Sequence, residues 1–281
     1  MIIMTRGLPA SGKTTWAKEQ VLQGNGKVKR VNKDELRAMV DASKHSDARE
    51  AEIVAIRDYL VTRWVMQGLT VIVDDTNLHP SHEERLRELA KELNVEFKIQ
   101  DFTRVSLGTC LQRNRSRERQ VPESWMFREW EKYLKPTQDW ASQPFKAIIC
   151  DLDGTLALLN GRNPYDASQC GNDELNLVVR DIWDTFSHDE YMKIIVSGRS
   201  DKHRDETERW LTRNWISYHA LYMRKDGDSR PDEIVKREIY DEKIRGMYHV
   251  HAVIDDRPKV IRMWQYDLGL PVINVGYGIE F

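Results

Sequence analysis

Two short apolar runs, one in each half of the chain, end in loops suited to phosphate. Ile2-Ile3-Met4 leads into Gly7-Leu8-Pro9-Ala10-Ser11-Gly12-Lys13-Thr14, and Phe145-Lys146-Ala147-Ile148-Ile149-Cys150 leads into Asp151-Leu152-Asp153-Gly154-Thr155. Apolar, β-branched runs of this length read as buried parallel strands. A strand, a Gly-rich loop and a helix start in direct succession let backbone N–H groups and the helix N-terminus cradle phosphate oxygens. In that reading Gly7, Ser11 and Gly12 shape a nucleotide cradle continued by Thr15. Lys13 reaches the β- and γ-phosphates and the Thr14 hydroxyl ligates Mg²⁺. In the second loop, carboxylates two apart on an extended segment point the same way. Asp151 can attack phosphorus while Asp153, protonated, supports the leaving oxygen. A calcium loop would need a Glu at a distance where none occurs.

Around these loops the pattern alternates strand and helix, which predicts α/β architecture: two domains, each a parallel sheet flanked by helices. In the first half, strands are expected over 2–5, 28–31, 70–75 and 95–102. Helices are expected over 13–22, 33–42, 47–67, 82–93, 106–117 and 123–134, with Ser81 and Glu84 forming a capping box. In the second half, strands are expected over 146–150, 192–196, 218–222, 250–254 and 271–275, and helices over 173–187, 202–214, 231–243 and 258–267. The stretch Lys135–Pro144, with two prolines among polar residues, reads as a linker. The expected division is 1–136, a linker over 137–145, and 146–281.

At 281 residues, 40% hydrophobic and 31% charged, the composition is that of a globular protein with room for two cores. No apolar run approaches the ~20 residues that span a bilayer, so no membrane partner is expected. The start of the chain reads as a strand and loop rather than a signal peptide. Three scattered cysteines make no disulfide framework, which fits a reducing cytoplasm. A net charge of -2 confines nucleic-acid contact to local patches. Trp64, Trp210, Trp215 and Trp264 read as core or rim.

Three clusters bear on what accepts the phosphate. Asp34 in Asn32-Lys33-Asp34-Glu35-Leu36-Arg37 could take a proton from an attacking hydroxyl, with Arg37 one turn on holding an acceptor phosphate. It could equally be a first-turn carboxylate that favours the helix dipole. Asp74-Asp75-Thr76-Asn77 could orient magnesium, brace an arginine, or simply end a strand. The run Arg113-Asn114-Arg115-Ser116-Arg117-Glu118-Arg119 is either a solvated face or a lid that neutralises the transferred phosphoryl group.

The ordered set Asp151-x-Asp153-Gly-Thr, Ser197-Gly198-Arg199, Lys236 and Asp255-Asp256 resembles the haloacid dehalogenase phosphatase superfamily from about Phe145 to Phe281. With the phosphate loop in front of it, nearly the full chain resembles the phage-type bifunctional 5′-polynucleotide kinase/3′-phosphatases. The resemblance implies ATP or another nucleoside triphosphate as donor, Mg²⁺, and RNA and DNA ends as substrates in a phage or bacterial host cytoplasm. It makes Lys13 and Thr14 the loop lysine and hydroxyl, Asp34 the general base, and Arg37 the clamp on a 3′-phosphate. Asp75 would position a lid arginine, Arg113 and Arg117 being those of the lid. Asp151 would be the nucleophile and Asp153 the acid/base, both at the metal with Asp255 and Asp256. Arg162 in Gly161-Arg162-Asn163-Pro164-Tyr165-Asp166, Ser197, Gly198, Arg199, Asp232 and Lys236 would complete the phosphatase site. The extra Asp74 and the Glu35 in place of a second aspartate depart from the family pattern. A downstream ligase, a homo-oligomer and a 2′,3′-cyclic phosphate substrate are left open. So are two other readings: a small-metabolite kinase fused to a sugar phosphatase, and an ATP-gated binding module.

Overall fold

The computed structural model describes residues 1–42, 46–138, 145–163 and 166–278. Most of the expected linker (139–144) and Pro164-Tyr165 therefore lie outside the described residues. The chain divides into two compact units, Met1–Leu134 and Lys135–Phe281.

In the first unit the elements run β1 (Ile2–Arg6), α1 (Lys13–Gln23), β2 (Val28–Val31), α2 (Lys33–Asp41), α3 (Asp47–Met66), β3 (Thr70–Val73), α4 (Pro80–Glu92), β4 (Phe97–Asp101), α5 (Leu107–Arg115) and α6 (Glu123–Tyr133). The strands form a parallel sheet in the order β2-β3-β1-β4. The chain moves to one side of β1 for β3 and β2, then to the other for β4, so the order reverses beside β1. Ligands gather at such a point, beyond the C-terminal strand ends. Ile2, Met4, Val71 and Val73 point into one core with Ile53 and Val61 of α3 and Leu86 of α4. The alternation of strand side chains sets that choice.

The second unit runs β5 (Phe145–Cys150), β6 (Ala157–Leu158), β7 (Glu174–Leu175), α7 (Leu177–Thr185), β8 (Tyr191–Ser200), α8 (Arg204–Arg213), β9 (Ala220–Arg224), α9 (Asp232–Lys243), β10 (Tyr248–Asp255), α10 (Pro258–Arg262) and β11 (Val272–Asn274). Its parallel sheet has the order β11-β10-β5-β8-β9, with β5 at the reversal. The period of two sorts β5 cleanly: Ile148 and Cys150 pack into one apolar layer, Ala147 and Ile149 into the other.

Several expectations are corrected. No Ser81 capping box forms; α4 starts earlier, at Pro80, whose ring suits the first helical position, and His79 is the cap. The helix expected over 173–187 begins only at Leu177, where the Asn176 side chain accepts from Val179 N. The residues before it supply β7, which pairs antiparallel with β6. The helix expected over 258–267 changes to a π-helical turn at Met263–Asp267. Trp210 and Trp264 are core, but Trp215 is 91% exposed. Cys110, Cys150 and Cys170 are unpaired and buried. Among the described residues no helix is long and apolar enough to cross a membrane.

Candidate active sites

Each sheet carries a polar cluster at the C-terminal ends of its central strands. In the first, Gly7 leaves β1 at φ +150, where an added Cβ would lie 3.0 Å from both Phe102 Cβ and Ser11 Oγ. Only glycine fits such an approach. Ala10 (φ 62) and Gly12 (φ 105) complete the turn. Gly12 caps α1 without a side-chain bond, so the first N–H groups of that helix are left for the cradle. Lys13 folds back: its Nζ donates to the carbonyls of Gly7 (2.9 Å) and Leu8 (2.7 Å). Burial pulls its pKa down to about 8, against the attraction of Asp74.

Gly12, Lys13, Thr14 and Thr15 line a cavity of about 1270 Å³ together with Asp34, Arg37, Asp75, Arg113 and Arg117. Gly7 and Ser11 are not among the lining residues and shape the loop from behind. Asn32 caps α2 by accepting from Glu35 N (3.0 Å), which sets Asp34 and Arg37 one turn apart. They form an ion pair with each other. Arg37 Nε also donates to Glu50 Oε2 (2.9 Å), while Glu50 Oε1 accepts from Lys33 Nζ (2.7 Å). Burial opposes ionisation of Glu50, yet the hydrogen bonds from Arg37 and Lys33 prevail and hold it at about 2.

Asp75 departs from expectation. Among the described residues no ion pair joins it to Arg113 or Arg117; its Oδ1 accepts from Lys33 N (2.9 Å), one of the otherwise unpaired donors at the start of α2. Asp74 accepts instead from Arg30 Nε (2.7 Å). Within the arginine run, buried Asn114 exchanges two hydrogen bonds with Val121 (Nδ2 to O, 2.8 Å; N to Oδ1, 3.0 Å), closing the loop that carries exposed Arg117.

The second cluster is denser. Buried Lys236 of α9 lies 2.8 Å from Asp151 Oδ1 and 3.0 Å from Asp255 Oδ2. The indole N–H of Trp264 donates to the same Asp255 oxygen at 3.2 Å. Asp151, Asp255 and Asp256 each offer a carboxylate oxygen within 4.8 Å of the others. Burial raises the Asp151 carboxyl well above its usual range, Lys236 opposing and the neighbouring aspartates reinforcing. One lysine cannot balance three carboxylates at such close range, and hard oxygen donors so placed fit a divalent cation such as magnesium. Gly154, at φ +86, is packed so closely that a Cβ would strike the Asp256 carboxylate, which accepts from Thr155 Oγ1 (2.8 Å).

Asp153 belongs to a different group. Its Oδ1 accepts from Arg162 Nη2 and from Arg199 Nη2 (2.6 Å), and its Oδ2 from Arg199 Nε (3.2 Å). Burial would raise it, but the two guanidinium groups hold it below the usual carboxylate range. Its side chain therefore faces arginines, while Asp151, Asp255 and Asp256 form the three-carboxylate cluster. Asp173 completes this group, accepting from Arg162 Nε (2.6 Å) and Nη2 (2.8 Å) and from Arg199 Nη2 (3.1 Å). Ser197 Oγ accepts from Arg199 N (3.1 Å). Asp232 pairs with Arg224 and Arg257, and a Cβ on Gly198 would lie 2.5 Å from its Oδ1.

The sequence comparisons meet this geometry domain by domain. Residues 145–280 match the model of the polynucleotide kinase phosphatase domain, and residues 2–137 match an AAA domain model. The chain joins an AAA-type P-loop domain to a phosphatase domain of the polynucleotide kinase family. A protein of Autographa californica nuclear polyhedrosis virus, named for bifunctional polynucleotide kinase and RNA ligase activity, is 30% identical over 97% of this chain. The L-seryl-tRNA(Sec) kinase of Methanococcus maripaludis is 27% identical over 50% of it. This chain spans only 42% and 55% of those two relatives. A chain in the structure of the Pnkp1/Rnl/Hen1 RNA repair complex is 32% identical, with 99% of this chain and 96% of that chain covered at a TM-score of 0.48. Neither the sugar phosphatase nor the ATP-gated module is favoured by these matches.

Polar residues of the two clusters that were not singled out from sequence include Glu50, Asn114, Asp173, Arg224 and Arg257. Glu50, Asp173 and Arg224 have no motif around them, whereas Asn114 and Arg257 sit inside or beside motifs that gave them no role of their own.

Proposed function

We propose that this enzyme heals nucleic acid ends. It moves the γ-phosphate of a nucleoside triphosphate to a 5′-hydroxyl of RNA or DNA and removes the phosphate from a 3′ end. The observation that carries the kinase half is a single cavity shared by the phosphate loop and by Asp34 and Arg37. Donor and acceptor groups can meet there without a second site. Asp34 is the general base, Arg37 grips the acceptor's neighbouring phosphate, and Arg113 and Arg117 neutralise charge on the transferred group.

In the phosphatase half, Asp151 attacks phosphorus and forms an aspartyl-phosphate, expelling the ribose oxygen. Asp153 delivers a proton to that oxygen, which requires the substrate phosphate first to draw Arg162 and Arg199 from its carboxylate, and then takes one from the water that hydrolyses the intermediate. Magnesium held by Asp151, Asp255 and Asp256 would offset the repulsion between the carboxylate and the phosphate. Lys236 supplies fixed positive charge beside the nucleophile. A ligase that seals the healed ends is the partner this chemistry calls for, in the same compartment as the broken strands.

Incubation with γ-labelled ATP and oligonucleotides bearing 5′-hydroxyl and 3′-phosphate ends tests both halves. Label should move to the 5′ end and inorganic phosphate should leave the 3′ end. Labelling of nucleosides or sugars but not of oligonucleotides would overturn the reading.

A further inference from the structure

Arg162 belongs to two places at once. Its Nη2 donates to Asp153 and to Asp173, and its side chain also walls a separate cavity of about 660 Å³. Asn160, Gln169, Asn172 and Arg213 also line that cavity, as does Asp173 itself. We propose that it receives the terminal nucleotide of the strand whose 3′-phosphate is presented to Asp151, with Arg213 taking that nucleotide's 5′-side phosphate. The assignment rests on the phosphatase reading above.

Position is the first argument. The oxygen that Asp153 protonates carries the departing nucleoside, so the nucleoside must lie beside Asp153. Arg199, which donates to Asp153, is fully buried and leaves no space around its own side chain. Arg162 and Asp173, joined to Asp153 through one guanidinium, both line the cavity, so it opens directly beside Asp153. Size agrees, since cavities of ~300–1,000 Å³ hold small organic ligands.

The wall chemistry agrees as well. Three carboxamides offer donors and acceptors together, as base edges and sugar hydroxyls require. They are partly ordered beforehand: Asn172 Nδ2 donates to Gln169 Oε1 (3.1 Å) and Asn160 Nδ2 to Asn172 O (3.4 Å). Arg162 is neutralised by two aspartates, whereas the bond from Arg213 Nη2 goes to the uncharged carbonyl of Gly171. Arg213 therefore brings its positive charge to the rim, where a phosphodiester would pass.

The test compares a nucleoside 3′-monophosphate, a nucleoside 3′,5′-bisphosphate and p-nitrophenyl phosphate as substrates of the full chain. One charge-assisted arginine–phosphate contact should lower KM for the bisphosphate about tenfold relative to the monophosphate. Arg213→Ala should bring that ratio close to one. Gln169→Ala should raise KM for both nucleotides and leave kcat unchanged. Hydrolysis of p-nitrophenyl phosphate, which reports the folded catalytic centre, should be unaltered in both variants. An undiminished ratio in Arg213→Ala, or equal losses on p-nitrophenyl phosphate, overturns the assignment. Wild-type enzyme that hydrolyses p-nitrophenyl phosphate but neither nucleotide overturns the phosphatase reading itself.

Discussion

Arg37 is held by two carboxylates of different kinds. Asp34 is two-thirds exposed at the cavity edge, whereas Glu50 is a half-buried anchor shared with Lys33. An acceptor phosphate can replace Asp34 as a partner of Arg37 and leave the Glu50 contact in place. Asp34→Asn keeps shape and loses the proton acceptor, so kcat for 5′-phosphorylation should fall ~10²–10⁴-fold, with ATP affinity little changed. Near-normal turnover would remove Asp34 from the chemistry. Glu50→Gln should raise the acceptor KM more than it lowers kcat, because it loosens Arg37 without touching the reacting oxygen. It also has a pH signature. Glu50 drops from its ordinary 4.5 to about 2 on folding, so its stabilisation is complete above 4.5 and vanishes as pH falls through 2. Wild type should exceed Glu50→Gln in stability by about 1–2 kcal/mol at neutral pH after allowing for solvent screening. Urea titrations should show the gap closing between pH 4.5 and 2, and a constant gap would contradict the ion-pair account.

Strand ends deliver Asp74-Asp75, Asp151 and Asp153, Ser197 and Arg199, and Asp255-Asp256, which is why these were legible from sequence. Runs such as Ile148-Ile149-Cys150 announce a buried strand, and the residue after the run is then at a ligand-facing edge. The β6–β7 pair escaped because two-residue strands carry no period, and Asp173, just before β7, escaped with it. Glu50 lies near the start of α3, 13 and 17 residues from the Arg37 and Lys33 it holds, and nothing local distinguishes it from the other charged residues of that helix. Asn114 sat in plain view inside an arginine run, but an amide turned inward to close a loop has the same letter as one turned to solvent. The tight turn between β5 and β6 makes its own prediction. Gly154→Ala combines a positive φ with a collision against Asp256, a strain of about 1–3 kcal/mol. Because the carboxylate must shift, 3′-phosphatase activity should be lost while kinase activity persists. Retained phosphatase activity would mean that the position of Asp256 is not critical.

At the scale of the whole chain, the two clusters stand on separate sheets with separate apolar cores. Lys13→Ala should abolish phosphorylation and spare 3′-phosphate removal, and Asp151→Asn should do the reverse. Loss of both activities in either folded variant would refute two independent sites. The cysteines fall on both sides of this division, Cys110 in the first unit and Cys150 and Cys170 in the second. All three are fully buried, and burial raises their thiols, Cys110 to about 11. A thiol in that state reacts with an alkylating reagent only when its surroundings open. Nature has thus placed a chemical stopwatch inside each half. The rate at which each cysteine acquires label, read by mass spectrometry peptide by peptide, would time the breathing of one catalytic unit against the other in the unmutated enzyme.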